Sequence, residues 1–164
     1  MVKIGSILAI ILVCLSGCYS FKDVSIPPEV KTVRVNYIEN RATYINPQLA
    51  PQLTDRLRQK INNQTRLTLV NGEDAHYDIN GTITGYTVST SGISQQTAAT
   101  NRLSVTVHII FKNRLDEKAN FEADVSRNFD FDASKSLQSA EAQLMDDILK
   151  NMTDEIFNRI FSNW

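Results

Sequence analysis

Apolar and polar residues alternate along this chain with two different periods, and the points where the period changes divide it into elements. Val33, Val35 and Tyr37 interleave with Thr32, Arg34 and Asn36, the period of two expected of a strand with one buried face. Leu49, Leu53, Leu57 and Ile61 then return every fourth residue, with Asp55, Arg56, Arg58, Gln59 and Lys60 between them, which predicts an amphipathic helix. Asn46-Pro47 has the form of a cap and first helical position, yet Pro51 is costly inside a helix. The spacing therefore leaves the start open between the two prolines. Asn62-Asn63 ends the helix, Arg66 to Val70 reads as a short strand, and Asn71-Gly72 marks a turn.

Three longer strands follow. Tyr77, Ile79 and Ile83 share one parity, and Tyr86 and Val88 take the other, with Gly85 at the change. A β-bulge at Gly85 would restore a single apolar face, because one extra residue exchanges the two sides of a strand. Leu103, Val105, Val107, Ile109 and Phe111 alternate without a break; so do Phe121, Ala123, Val125, Phe129 and Phe131, with Arg127 the charged exception. Lys112 to Asn120 is a polar connection suited to an antiparallel hairpin. A last helix is predicted from Leu137, Leu144, Ile148, Met152, Ile156 and Ile160, joined by Met145, Leu149, Phe157 and Phe161, with Ser134 or Ser136 as its cap. The principal elements run β-α-β-β-β-α. One apolar face per strand and one stripe per helix predict an α+β two-layer sandwich, both helices packed on one face of a mostly antiparallel or mixed sheet. Thr87 to Asn101, rich in Ser, Thr, Gln, Gly and Ala, breaks the pattern. It is expected to form a flexible loop, or a contact loop that orders against a partner, being long for a simple hairpin.

The start of the chain carries a different pattern. Lys3 precedes an almost unbroken apolar run from Ile4 to Leu15, too short for a permanent bilayer span and of the length of a signal-peptide core. Leu15-Ser16-Gly17-Cys18 closes it, the lipobox arrangement of bacterial lipoproteins. Small residues at Ser16 and Gly17 let extended backbone enter a protease site, and only cysteine supplies the nucleophilic sulfur. Cleavage is expected between Gly17 and Cys18, with Cys18 carrying an S-diacylglyceryl group and an N-acyl chain such as palmitate. The expected organisation is a signal peptide over 1–17, a lipidated tether over 18–28 and a single α+β domain over 29–164. Cys14 falls in the discarded part, so no disulfide is expected and stability must come from a packed core. The ten residues Tyr19 to Pro28, stiffened by Pro27-Pro28, reach about 35 Å at most, which keeps the domain near its membrane. Tyr19 stands where Asp would favour inner-membrane retention, so the expected location is the outer membrane, anchored by lipid.

Charge and candidate chemistry narrow the function. The net charge of −1 gives no electrostatic reason to propose nucleic acid as a partner. His76 and His108 are isolated, and no G-x-S-x-G, H-E-x-x-H or glycine-rich phosphate loop is present, so neither an enzyme nor a cofactor is expected. Asp146-Asp147 and Asp154-Glu155 are expected to be solvated on the outer face of the last helix. Asp130, Asp132, Ser134, Ser136 and Glu141 have the spacing of a calcium loop. Lys135 occupies the position that needs glycine, however, and a strand precedes it, so the residues read as a strand-to-helix turn and no metal is expected.

The lipobox, Ile26-Pro27-Pro28-Glu29-Val30-Lys31-Thr32-Val33, Asn46-Pro47, Asn101-Arg102-Leu103-Ser104-Val105-Thr106-Val107, and the run from Ile156-Phe157-Asn158-Arg159 to Ser162-Asn163-Trp164 together resemble the LptE family. The resemblance extends over essentially the whole chain after the lipobox. It implies a small lipoprotein that assists lipopolysaccharide assembly at the outer membrane, plugging the β-barrel translocon LptD and binding lipopolysaccharide. Cys18 carries over as the lipidated residue; no basic residue aligns with a lipid-contacting one. Lipopolysaccharide sets phosphates beside acyl chains, so cations near accessible apolar groups are the chemistry to look for. Lys112, Arg114 and Lys118 around one connection, and Arg127 on an apolar parity, are the candidates, with Arg56, Lys60 and Arg66 next. A solvated turn, and an Arg127 that snorkels at a sheet edge, would account for the same residues. The alternative function is a lipoprotein that activates a peptidoglycan synthase or forms part of a secretion pore, for which so short a tether is unusual.

Overall fold

In the computed structural model, which describes residues 26–94 and 97–162, the alternating segments assemble into one sheet of six strands. β1 (Thr32–Val35) and the two-residue β2 (Glu39–Asn40) precede α1 (Leu49–Gln64). β3 (Thr68–Leu69), β4 (Tyr77–Ser94), β5 (Thr97–Asn113) and β6 (Phe121–Asp132) follow, and then α2 (Leu137–Phe161). The order across the sheet is β3-β1-β4-β5-β6, and β2 pairs with β4 further along from β1. β3 and β4 flank β1 in parallel, whereas β4, β5 and β6 form an antiparallel meander. The sheet is therefore mixed and the fold is the α+β class predicted. The two-residue strands β2 and β3 are additions that carry too little pattern to read as principal elements.

The bulge lies where the parity changes. Ile83 opposes Val107 and Gly85 opposes Thr106, so Thr84 is the extra residue and Tyr86 returns to the face of Ile83. Gly85 suits the site because a Cβ there would sit 3.1 Å from Thr106 Cβ. On the helix-covered face, Ile83, Leu103, Val105 and Val107 are fully buried against Leu53 and Leu57 of α1 and Ile148, Leu149 and Met152 of α2. Each such side chain contributes about 1.5–3 kcal/mol through burial, which makes this single interface the main source of stability. At the start of α1, Asn46 Oδ1 accepts from the Gln48 N–H at 3.0 Å. Pro51 is the third helical residue, where the missing N–H has no intrahelical partner to lose, so the helix begins before it. Ser136, not Ser134, caps α2 by accepting from the Ser139 N–H.

Two expectations are corrected. Thr87 to Asn101 is not a loop: β4 and β5 stay paired from Tyr77 opposite Asn113 as far as Ser94 opposite Thr97, with register shifts around Gly92. Its β-branched threonines suit a strand, and Thr87 to Ser91, exposed on both faces, need no hydrophobic alternation, so the pattern that signals a strand is missing although the strand is not. Val88, on the apolar parity, is 42% exposed and lies at the rim of the helix cover. Of the acidic pairs on α2, Asp146 and Asp147 are exposed as expected, whereas Asp154 and Glu155 are half-buried. Asp146 accepts from Arg56 at 2.6 Å and Asp154 from Lys60 at 2.8 Å, joining α2 to α1, while Glu155 pairs with Arg127 of β6.

Candidate functional site

The beginnings of β1, β3, β4 and β6 and the end of β5 lie at one end of the sheet. There the backbone folds three cations together. Asn113 is buried; its N–H donates to Asn120 Oδ1 at 2.6 Å, and its own Oδ1 accepts from the N–H groups of Leu115 and Asp116 at 2.9 and 3.2 Å. Asp116 then caps the single turn Glu117–Ala119 by accepting from the Lys118 N–H at 3.1 Å. These bonds convert the polar connection into a defined loop carrying Arg114 and Lys118, with Lys112 on the last part of β5. All three are exposed, and among the described residues none forms an ion pair.

Two residues that the sequence did not single out complete this end. Leu115 is 50% exposed between Arg114 and Lys118. A large apolar residue inside a polar connection was the signal available for it. Lys31 joins the cluster through the backbone: its N–H donates to His76 Nδ1 at 3.0 Å, and the Arg114 N–H donates to the His76 carbonyl at 2.9 Å. Asp116 and Glu117 lie in the same loop, so the surface is mixed in sign and rich in cations rather than uniformly basic. The chain comes in at this end too, for Arg66 donates its guanidinium to the carbonyl of Ile26.

The remaining candidates lie elsewhere. Arg127 opposes Val105 on β6, six residues along from Phe121, hence about 20 Å from the loop. It lies on the helix-covered parity of an edge strand and reaches Glu155 of α2. Arg56 and Lys60 are taken up in the ion pairs between the helices, and Lys60 also covers the Phe157 ring at 5.0 Å from its centroid. Gly17 and Cys18, with the segment expected to be a signal peptide and most of the expected tether, fall outside the described residues.

The sheet face without helices is largely polar, and much of it is bonded across β5 and β6. Across β5 and β6, Arg102 pairs with Asp130 at 2.7 Å, Ser104 donates to Asn128 at 2.8 Å, Thr106 meets Ser126 at 2.8 Å, and His108 Nδ1 lies 2.8 Å from Asp124. The Arg102 guanidinium holds the Asp130 carboxyl below the usual carboxylate range. Asp132, within the calcium-like spacing, accepts from the N–H and hydroxyl of Ser134, while Glu141 turns inward to Tyr44 and Tyr86. Those residues form a strand-to-helix turn.

A family model described as LptE, lipopolysaccharide-assembly, matches residues 30–160. No curated protein matches the chain by sequence. Among solved structures, the chain is similar to a minor lipoprotein from Acinetobacter baumannii, at TM-score 0.54 and 16% identity over 81% of this chain and 94% of that one. It is also similar to the protein XCC0632 from Xanthomonas campestris, at TM-score 0.54 and 10% identity, over 85% and 88% of the two chains. The hypothetical protein CT253 from Chlamydia trachomatis matches at TM-score 0.50 and 11% identity, over 79% and 95%. At such identities these likenesses show a shared fold.

Proposed function

Because the chain belongs to the LptE family of lipopolysaccharide-assembly proteins, we propose that it is a non-enzymatic lipoprotein of the outer membrane that seats against an LptD-like β-barrel and contacts lipopolysaccharide through the loop of Lys112, Arg114 and Lys118. The observation that carries this reading is an exposed apolar side chain, Leu115, held between cations that have no ion-pair partner among the described residues. Phosphate beside acyl chain is the ligand chemistry such a surface fits, since cations meet the phosphates while Leu115 meets hydrocarbon. The loop also lies at the end where Ile26 comes in. If Cys18 carries the lipid, the residues between them span about 25–30 Å at most, so this end of the domain works near the bilayer. The open face of the sheet, cross-bonded between β5 and β6, is polar enough to lie in a hydrated barrel lumen.

The test is affinity purification of the lipidated chain from detergent-solubilised outer membrane. A single β-barrel of the lipopolysaccharide translocon type is expected to co-purify in stoichiometric amount. Recovery of a peptidoglycan synthase or of secretion-pore subunits instead would replace this reading with the alternative one.

A further inference from the structure

Two acidic side chains are equally buried, at 7% exposure each: Asp78 and Glu141. Asp78 has the Arg34 guanidinium at 2.9 Å. Glu141 has no lysine, arginine or histidine within ion-pair distance among the described residues. Its Oε1 accepts from the Tyr86 hydroxyl at 2.7 Å and its Oε2 from the Tyr44 hydroxyl at 3.2 Å, both neutral donors. The two rings stack with centroids 5.5 Å apart, which fixes the carboxylate in place. Burial, followed by the hydrogen bond to Glu141, pushes the Tyr86 phenol well above its usual range, so it stays a donor and supplies no charge. Each oxygen therefore has one neutral donor and no cation, which leaves lone pairs for a further donor.

Glu141 also lines a cleft of ≈ 450 Å³ between the start of α1 and the first turns of α2, together with Pro47, Gln48, Gln138, Ala142 and Met145. The wall combines one carboxyl residue, three amides (Asn46, Gln48 and Gln138) and three apolar surfaces. An anion would be repelled by Glu141, and among the described residues that line the cleft no second carboxylate stands by to hold a metal ion. The positive end of α1 lies nearby, but Asn46 already takes the Gln48 N–H, and no α1 amide bonds Glu141. What fits is a cationic head on an aliphatic stem, with the stem against Met145, Ala142 and Pro47 and spare lone pairs of the carboxylate meeting the head.

We propose that this cleft is a docking socket for an arginine side chain of a protein partner, with Glu141 as its counter-ion. The socket lies on the helix layer, apart from the basic loop, and does not depend on that loop binding lipopolysaccharide.

Met145 lines the cleft and Met152 is fully buried, so methyl-labelled methionine offers a reporter and an internal control. The full chain in detergent is titrated with the peptide acetyl-Gly-Arg-Gly-amide and with its citrulline counterpart, which keeps the shape and removes the charge. A saturable shift of the Met145 methyl signal is expected with the arginine peptide alone, with Met152 unmoved. Glu141→Gln should weaken that binding at least tenfold. Should this variant fold poorly, Gln138→Trp fills the mouth from an exposed position and should block the shift while leaving the Tyr86 contact intact. No shift with the arginine peptide, an equal shift with citrulline, or a response unchanged in a folded variant would overturn the socket. Binding of free agmatine without binding of the peptide would also overturn it, as the cleft would then serve a small amine.

Discussion

Arg34 on β1 forks onto Asp78 on β4, Nε to Oδ1 and Nη2 to Oδ2 at 2.9 Å each, on the face of the sheet that the helices leave open. Asn36 Nδ2 adds a third bond to Asp78 Oδ1 at 2.7 Å. The two strands pair in parallel over only Val33 to Val35, so this fork carries an unusual share of their attachment. The bond from Arg34 holds the Asp78 carboxyl below the usual carboxylate range against the opposing effect of burial, with Asn36 assisting. A carboxyl whose pKa is lowered in the folded state adds stability above its unfolded pKa, near 3.9, and loses it as pH falls through the folded value. Asp78→Asn should therefore destabilise the chain by about 1–2 kcal/mol at neutral pH, and the gap should narrow below about pH 4. Urea unfolding of both proteins at the two pH values measures it; a gap that does not narrow would mean that the pair is not linked to folding.

The local pattern was legible where burial imposed it. Val107 and its neighbours alternate because one face meets the helices, and the parity change at Gly85 marked the bulge because both sides of it are buried. The extension of β4 beyond Tyr86 was not legible, since Thr87 to Ser91 are exposed on both faces and free of that constraint. Nor were the roles of Asp146, Asp154 and Glu155, whose partners Arg56, Lys60 and Arg127 lie far away in the chain and carry no shared period. At the candidate site the loop cations were visible as a cluster. The bonds from Asn113 and Asn120 that shape the loop were not, because hydrogen bonds made by side chains leave no spacing rule.

The face assignment makes a direct prediction. Val107 is fully buried between Ile83 and Val125, whereas Ser104 lies on the other parity between Thr87 and Asn128. Val107→Asp places an unpaired charge in the core and should cost several kcal/mol, enough to threaten folding. Ser104→Asp should cost less than about 1 kcal/mol, since it faces solvent and polar neighbours. Thermal melts of the two variants provide the check, and similar shifts would reverse the faces.

The lipid anchor is tested apart from the fold. Cys18→Ala removes the only thiol of the lipobox. The variant should incorporate no labelled palmitate and should accumulate with its signal segment uncut. Mass spectrometry of the N-terminal peptide checks both points, and normal acylation of the variant would rule out the Gly17–Cys18 assignment.

The last prediction separates the two places proposed for lipopolysaccharide. Lys112, Arg114 and Lys118 have no ion-pair partner among the described residues, so replacing all three with glutamine removes charge without leaving a buried partner behind. Binding of lipopolysaccharide by the purified chain should weaken by on the order of tenfold at low ionic strength, and less in high salt, where such contacts are screened. The melting temperature should be unchanged. Arg127 is placed differently, on the edge strand and bound to Glu155 of α2. Arg127→Gln should thus lower stability slightly, through the lost link between β6 and α2, and leave binding unaltered. Should the triple variant bind as the parent does at low salt while Arg127→Gln fails to bind, the contact lies on the edge strand and the loop is a solvated turn. Should neither substitution affect binding, the guanidinium of Arg66, beside Ile26, is the next group to replace, because Arg56 and Lys60 are committed to holding the two helices together.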